Sequence, residues 1–217
     1  MRIEERIVPG TLGLDDPLLD RIFSARGITD AAEIDRSLGN LLAPADLPDI
    51  DRAAQRRADA VVQEQKILIG GDVDADGATS VALCMLALRA MGAGQVDYLV
   101  PNRFDYGYGL SPEIVQLAAT MTPDVIVTVD NGVASVDGVA LANEHGIDVI
   151  VTDHHLPGET LPAAYALVNP NLESSIFASK SMAGVGVAYY LLSWVRQVLR
   201  QREHFSDRQI DEPNMAQ

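Results

Sequence analysis

Three carboxylates at alternate positions, Asp72, Asp74 and Asp76, follow directly on the apolar run Ile67-Leu68-Ile69 and the pair Gly70-Gly71, and Gly77 closes the group. Acids this close repel one another unless a positive charge lies among them. A divalent cation is the usual partner, because hard cations take carboxylate oxygens. The pattern Asp-x-Asp-x-Asp-Gly also opens an EF-hand loop, but that loop needs a Glu six positions after its glycine. The residue there is Leu83, and the segment before Asp72 reads as a strand rather than a helix, so the EF-hand reading fails. On this stretch alone, an acidic solvated turn stays open as the plain alternative.

Two further clusters have the same setting. Asp130-Asn131-Gly132 closes the apolar run from Asp124, and Asp153-His154-His155 closes the run from Asp148. Singly, such an Asp also serves as a helix N-cap, and such a His pair as a surface or hydrogen-bonded pair. Asn102-Arg103 ends another strand-like stretch, Asp97 to Pro101. An oxygen-rich set with an imidazole suits Mn²⁺ or Mg²⁺ better than zinc, which prefers more His or Cys. This many acids can hold two ions roughly 3.5–4 Å apart, a pair that clamps a phosphate diester and yields hydroxide from water at neutral pH. Phosphoryl hydrolysis is therefore the first reaction class to consider.

Those clusters need elements to bring them together. From Asp51, a candidate cap, a helical pattern runs through Val62 to the first strand. A helix from Ala78 to Met91 ends at Gly92, Ser111-Pro112 opens another, residues 134–144 form a third that ends at His145-Gly146, and Gly184 to Arg200 reads as a long last helix. Residues 124–130 and 148–153 read as buried strands, with a fifth strand at Ala166-Leu167-Val168. Strands alternating with helices of about a dozen residues predict βαβ units and an α/β fold, a parallel β-sheet flanked by helices. In such a sheet every carboxyl end lies along one edge, where ligands bind. The three acidic clusters then meet in one crevice. Residues 1–50 read as a small helical leader, with helix starts at Asp16-Pro17 and Asp30, and residues 201–217 as a polar tail. His145 reads as a dipole partner at a helix end, and His204 carries no assignment.

With 47% hydrophobic residues over 217 positions, the chain is an ordinary globular protein. No apolar run reaches the ~18 residues of a membrane span, and no signal peptide is read before Arg2-Ile-Glu-Glu-Arg. The single cysteine, Cys84 among Leu83, Met85 and Leu86, reads as a buried thiol, which favours the cytoplasm. A net charge of −15 argues against a broad basic surface for nucleic acid, so a phosphate-bearing substrate needs metal ions or a local patch.

In order and spacing, Asp72-x-Asp74-x-Asp76-Gly77, Val129-Asp130-Asn131-Gly132 and Asp153-His154-His155 resemble the motifs of the DHH phosphoesterase superfamily. Val100-Pro-Asn-Arg-Phe104 with Gly107-Tyr-Gly-Leu110, Asn169-Pro-Asn171, and Ser179-Lys180-Ser-Met-Ala-Gly-Val-Gly186 are similar to segments of its RecJ-type branch. That branch consists of single-strand-specific DNA exonucleases that degrade from the 5′ end. The resemblance covers nearly the whole chain. It implies that Asp74, Asp76, Asp130 and His154 are metal ligands, with Asp72 a further ligand or an orienting neighbour. Asp153 would fix the imidazole tautomer, and His155 would face the scissile phosphate. Asn102, Arg103 and the amides of Gly184 and Gly186 would contact substrate. Single-stranded DNA and other repair proteins are the implied partners, in DNA repair and recombination. The family pattern carries another metal-binding Asp after the long helix, then a second domain that clamps the strand. Glu203-His-Phe-Ser-Asp-Arg208 does not match it. The expectation is an N-terminal portion or a shortened homologue, with doubtful activity on its own. Two rivals are a DHH enzyme for short oligonucleotides, cyclic dinucleotides or pyrophosphate, and a catalytically silent binding or scaffold module. Product analysis on long single strands separates the first, and manganese calorimetry the second.

Overall fold

A computed structural model describes residues 8, 10–35, 37–102 and 106–215. The chain forms two compact units, residues 1–41 and 42–217. In the first, helix α1 (Pro17–Ala25) is capped by the Asp16 carboxylate, and a 3₁₀ turn, Ala31–Ile34, carries a capping box from Asp30 to Glu33. Asp20 accepts the Leu12 and Leu14 amides and the Thr11 hydroxyl, which ties the segment before α1 to the helix.

The second unit is a doubly wound α/β body. Five strands, β1 (Ile67–Gly70), β2 (Val96–Leu99), β3 (Val125–Val129), β4 (Asp148–Thr152) and β5 (Ala166–Val168), form one sheet in the order 2-1-3-4-5. Every pairing is parallel. Crossovers between parallel strands are right-handed, so reversing the direction of winding moves the helices to the other face. Helix α2 (Ile50–Val62), α3 (Ala75–Ala90) and the long α6 (Gly184–Gln201) share a core with Ile67, Ile69, Val125, Val127, Val129 and Ile150. Helices α4 (Pro112–Ala119) and α5 (Val136–Glu144) cover the other face with Leu68, Ile126, Val149 and Val151. Strands β1, β3, β4 and β5 are buried on both sides, as apolar runs in a parallel sheet require, while the edge strand β2 is partly exposed. Cys84 is fully buried, as its neighbours suggested.

Three boundaries differ from the sequence reading. Helix α3 begins at Ala75, not Ala78, because the Asp74 side chain accepts the Gly77 amide and caps it. Asp76 therefore sits in the first helical turn. Helix α2 starts after Asp49 rather than Asp51, and the Asp49 carboxylate accepts the Leu167 amide instead of capping its own helix. Residues 201–217 are not only a polar tail: a short helix α7 (His204–Arg208) buries His204 and Phe205, and His204 Nε2 lies 2.9 Å from the Met91 carbonyl oxygen. That contact gives the unassigned histidine a structural place.

Candidate metal centre

The winding reverses between β1 and β3, and the crevice outside their carboxyl ends is where an open α/β sheet takes ligands. Asp72, Asp74 and Asp76 leave β1 on one side of that point, and Asp130 leaves β3 on the other. Asp153, His154 and His155 follow β4, the next strand. Asn131 ties the first two ends together by donating to the carbonyls of Gly70 and Val129. The turn after β1 is tight enough to demand glycine at position 77, since a Cβ there would come within 2.6 Å of the Asp72 carbonyl oxygen.

Asp130 is the centre of the group. It is 2% exposed and adopts φ +61°, a left-handed conformation that Asp tolerates better than most residues. Its Oδ1 lies 3.0 Å from His154 Nε2, and His154 Nε2 lies 3.8 Å from Asp76 Oδ2. Burial, then the neighbouring charges of Asp76 and Asp74, push the Asp130 carboxyl up to about 7, against the pull of the two histidines. Although His154 stands so near, Asp130 Oδ1 accepts no hydrogen bond of good geometry among the described residues. Two donor atoms about 3 Å apart without a hydrogen bond between them match neighbouring corners of an octahedron with bonds of about 2.1 Å. An orphaned, buried carboxylate oxygen facing an imidazole nitrogen and a second acid therefore fits a Mn²⁺- or Mg²⁺-type cation. Asp130, His154 and His155 each present a ligand atom within 4.8 Å of the others.

Asp153 has a different task. Its Oδ1 accepts from the amides of His154 and His155 and lies 2.7 Å from His155 Nδ1, while Oδ2 accepts the Val133 amide. A carboxylate acceptor at that distance assigns the His155 proton to Nδ1. Desolvation lowers the affinity of His155 for a second proton, but Asp153, with Asp130 and Asp72, outweighs it and raises the pKa. Asp153 thus orients the His155 ring, while the His154 ring lies beside Asp130 and Asp76.

The structure engages the two glycine amides expected to meet substrate. Gly184 N–H donates to Asp76 Oδ2 and Gly186 N–H to the Ala183 carbonyl. Asn102 is described and exposed, whereas Arg103 lies outside the described residues. Three positions near the centre received no role from sequence. Tyr108 donates to the Asp130 carbonyl, and its hydroxyl stands 3.3 Å from His155 Nδ1. Asn169 donates to the His155 carbonyl at 2.9 Å, and Asn171 to that of His154. Lys180 in turn holds the Pro170 carbonyl at 2.6 Å. For the two asparagines the signal was positional: Asn169-Pro-Asn171 directly follows β5, one more strand end on the same edge.

A family model described as "DHH family, N-terminal domain" matches residues 66–215. The chain belongs to the DHH family. As a DHH protein it is 52% identical over 200 residues to the single-stranded-DNA-specific exonuclease RecJ of Dickeya dadantii (strain 3937), which covers 92% of this chain. It spans 35% of that relative's length. The DHH fold superimposes on an exonuclease RecJ bound to manganese with a TM-score of 0.67 and 33% identity, over 80% of this chain and 41% of the other. Against RecJ from Thermus thermophilus in complex with Mg²⁺ the TM-score is 0.53 at 27% identity, over 88% of this chain and 21% of the other.

Proposed function

We propose that this chain is the metal-dependent phosphodiesterase core of a RecJ-type exonuclease, acting on single-stranded DNA from its 5′ end in repair and recombination. The observation that carries it is the buried Asp130 carboxylate, brought to His154 and Asp76 with an oxygen left unbonded. The RecJ relatives, one of them bound to manganese, support the substrate and the metal. Asp76, Asp130 and His154 would hold Mn²⁺ or Mg²⁺, with Asp72 and Asp74 adding negative charge or a second ion's ligands. When bound, the cation neutralises phosphate charge and makes water acidic enough to supply a nucleophile near neutral pH. Asp153 holds His155 so that its Nε2 meets the scissile phosphate, and a protonated ring there offsets charge that develops on the equatorial oxygens. Arg103 and Asn102 would contact neighbouring phosphates. We assign residues 51–200 to this DHH domain; a DNA substrate and the buried free Cys84 support a cytoplasmic location. No described helix is long and apolar enough to cross a membrane.

The test is product analysis with Mn²⁺. A long 5′-labelled single strand should release mononucleotides, while duplex, dinucleotides and cyclic dinucleotides stay intact. Preferential cleavage of dinucleotides would move the chain to the small-substrate branch. Absence of a stoichiometric manganese site by calorimetry would make it a silent module.

A further inference from the structure

Asp76 is held from behind by a helix that enters from far along the chain. The amides of Gly184 and Val185, the first two residues of α6, donate to Asp76 Oδ2 and Oδ1, each at 2.7 Å. The N-cap residue of α6, Ala183, offers no side-chain acceptor, so Asp76, 108 positions upstream of Gly184, satisfies the open helix end. The partial positive charge of an 18-residue helix favours the ionised carboxylate there. Gly184 also touches the other acid. A Cβ at this position would lie 2.5 Å from Asp130 Oδ1 and 2.8 Å from Asp130 Cβ. One residue therefore meets two of the three groups assigned to the cation.

We propose that Gly184 and Val185 are positioning residues of the metal centre. Two hydrogen bonds donated by the amides of one rigid helix end remove the rotation of the Asp76 carboxylate, and the bare α carbon of Gly184 leaves the space in which Asp130 stands beside it. Groups that orient a metal's ligands set affinity almost as strongly as the ligands do. This rests on the metal reading above and adds the part of the fold that sets the ligand spacing.

The experiment is a manganese titration of the 217-residue chain, followed by the loss of the free-ion EPR signal, with Gly184→Ala and Gly186→Ala. The added methyl of Gly186→Ala would press on Met182, a flexible side chain, and not on the acids. Gly184→Ala should bind manganese about 10–100-fold more weakly, with Gly186→Ala within about threefold of wild type. A purely structural cap would lower the melting temperature and leave the affinity alone. A folded Gly184→Ala with wild-type affinity overturns the proposal. Should that variant not fold, wild type decides: in a Mg²⁺ titration by NMR, the Gly184 and Val185 amide signals should move with the same half-saturation as the His154 ring. Amides that stay still through saturation overturn it. If wild-type protein takes up no manganese, the metal reading falls first and this inference with it.

Discussion

Asp130 shows how much one residue's surroundings determine its chemistry. In water its carboxyl would be ionised at any pH near neutrality; here it is raised to about 7 by burial and by Asp76 and Asp74. A cation must displace that proton, because the carboxylate is the ligand. Manganese affinity should therefore climb with pH, by about tenfold per pH unit below 7 for one displaced proton, and flatten above it. Calorimetry in buffers of different ionisation enthalpy measures the proton count directly. The linkage to folding has a definite sign. The folded pKa lies above the ordinary carboxylate value of 3.8, so the native state takes up a proton between the two, and metal-free stability falls as pH rises from about 4 toward 7. Asp130→Asn should remove that slope, be the more stable protein at pH 8, and lose manganese by more than about 100-fold. A variant that keeps both the slope and the metal would show the acid is not the titrating ligand. Asp153, 1% exposed, gives the contrasting case. It serves three backbone amides and one ring nitrogen, so Asp153→Ala should cost about 3 kcal/mol or more in urea unfolding, from donors left buried and unpaired.

At the scale of elements, the parallel sheet and its strand ends were legible in the sequence, because a doubly buried parallel strand is a short apolar run ending in a polar cluster; the strand order 2-1-3-4-5 was not. Three such runs, before Asp72, Asp130 and Asp153, were enough to predict one edge and one crevice. What escaped was any contact set by long-range packing. The amides of α6 were read as free for phosphate, and only the fold shows Asp76 reaching them across 108 positions. Helix starts shifted by three residues at α3, where a cap inside an acidic motif cannot be told from a ligand. Arg57 is the clearest miss. It reads like its neighbour Arg56, yet Arg56 pairs with Asp148 at 2.6 Å while Arg57 is fully buried in α2, and its three guanidinium nitrogens make no hydrogen bond among the described residues. A buried cation without partners costs more than its packing returns. Arg57→Leu should raise stability by about 2 kcal/mol, seen as a higher urea midpoint at unchanged slope. A lower midpoint would mean the guanidinium stabilises α2.

The whole molecule sets the limit on activity. Its net charge is −15, and a polyanionic strand approaching the crevice meets repulsion that only the cation site and local residues oppose. The matched region of this chain spans only 35% of the exonuclease relative's length. Displacing a catalytic group by even about 1 Å can cost roughly 100-fold in rate, so any further hold on the strand from residues outside this chain should raise the rate. We expect residues 1–217 alone to fold, bind manganese and release nucleotides from a 5′-labelled single strand at least about 100-fold more slowly than a chain extended to the relatives' full length. Binding should show the same deficit, since each phosphate contact added by further chain would release counterions. The extended chain should accordingly show the steeper loss of affinity with salt. Equal rates and equal salt slopes would establish that these 217 residues already contain the complete site and the surface that grips the strand.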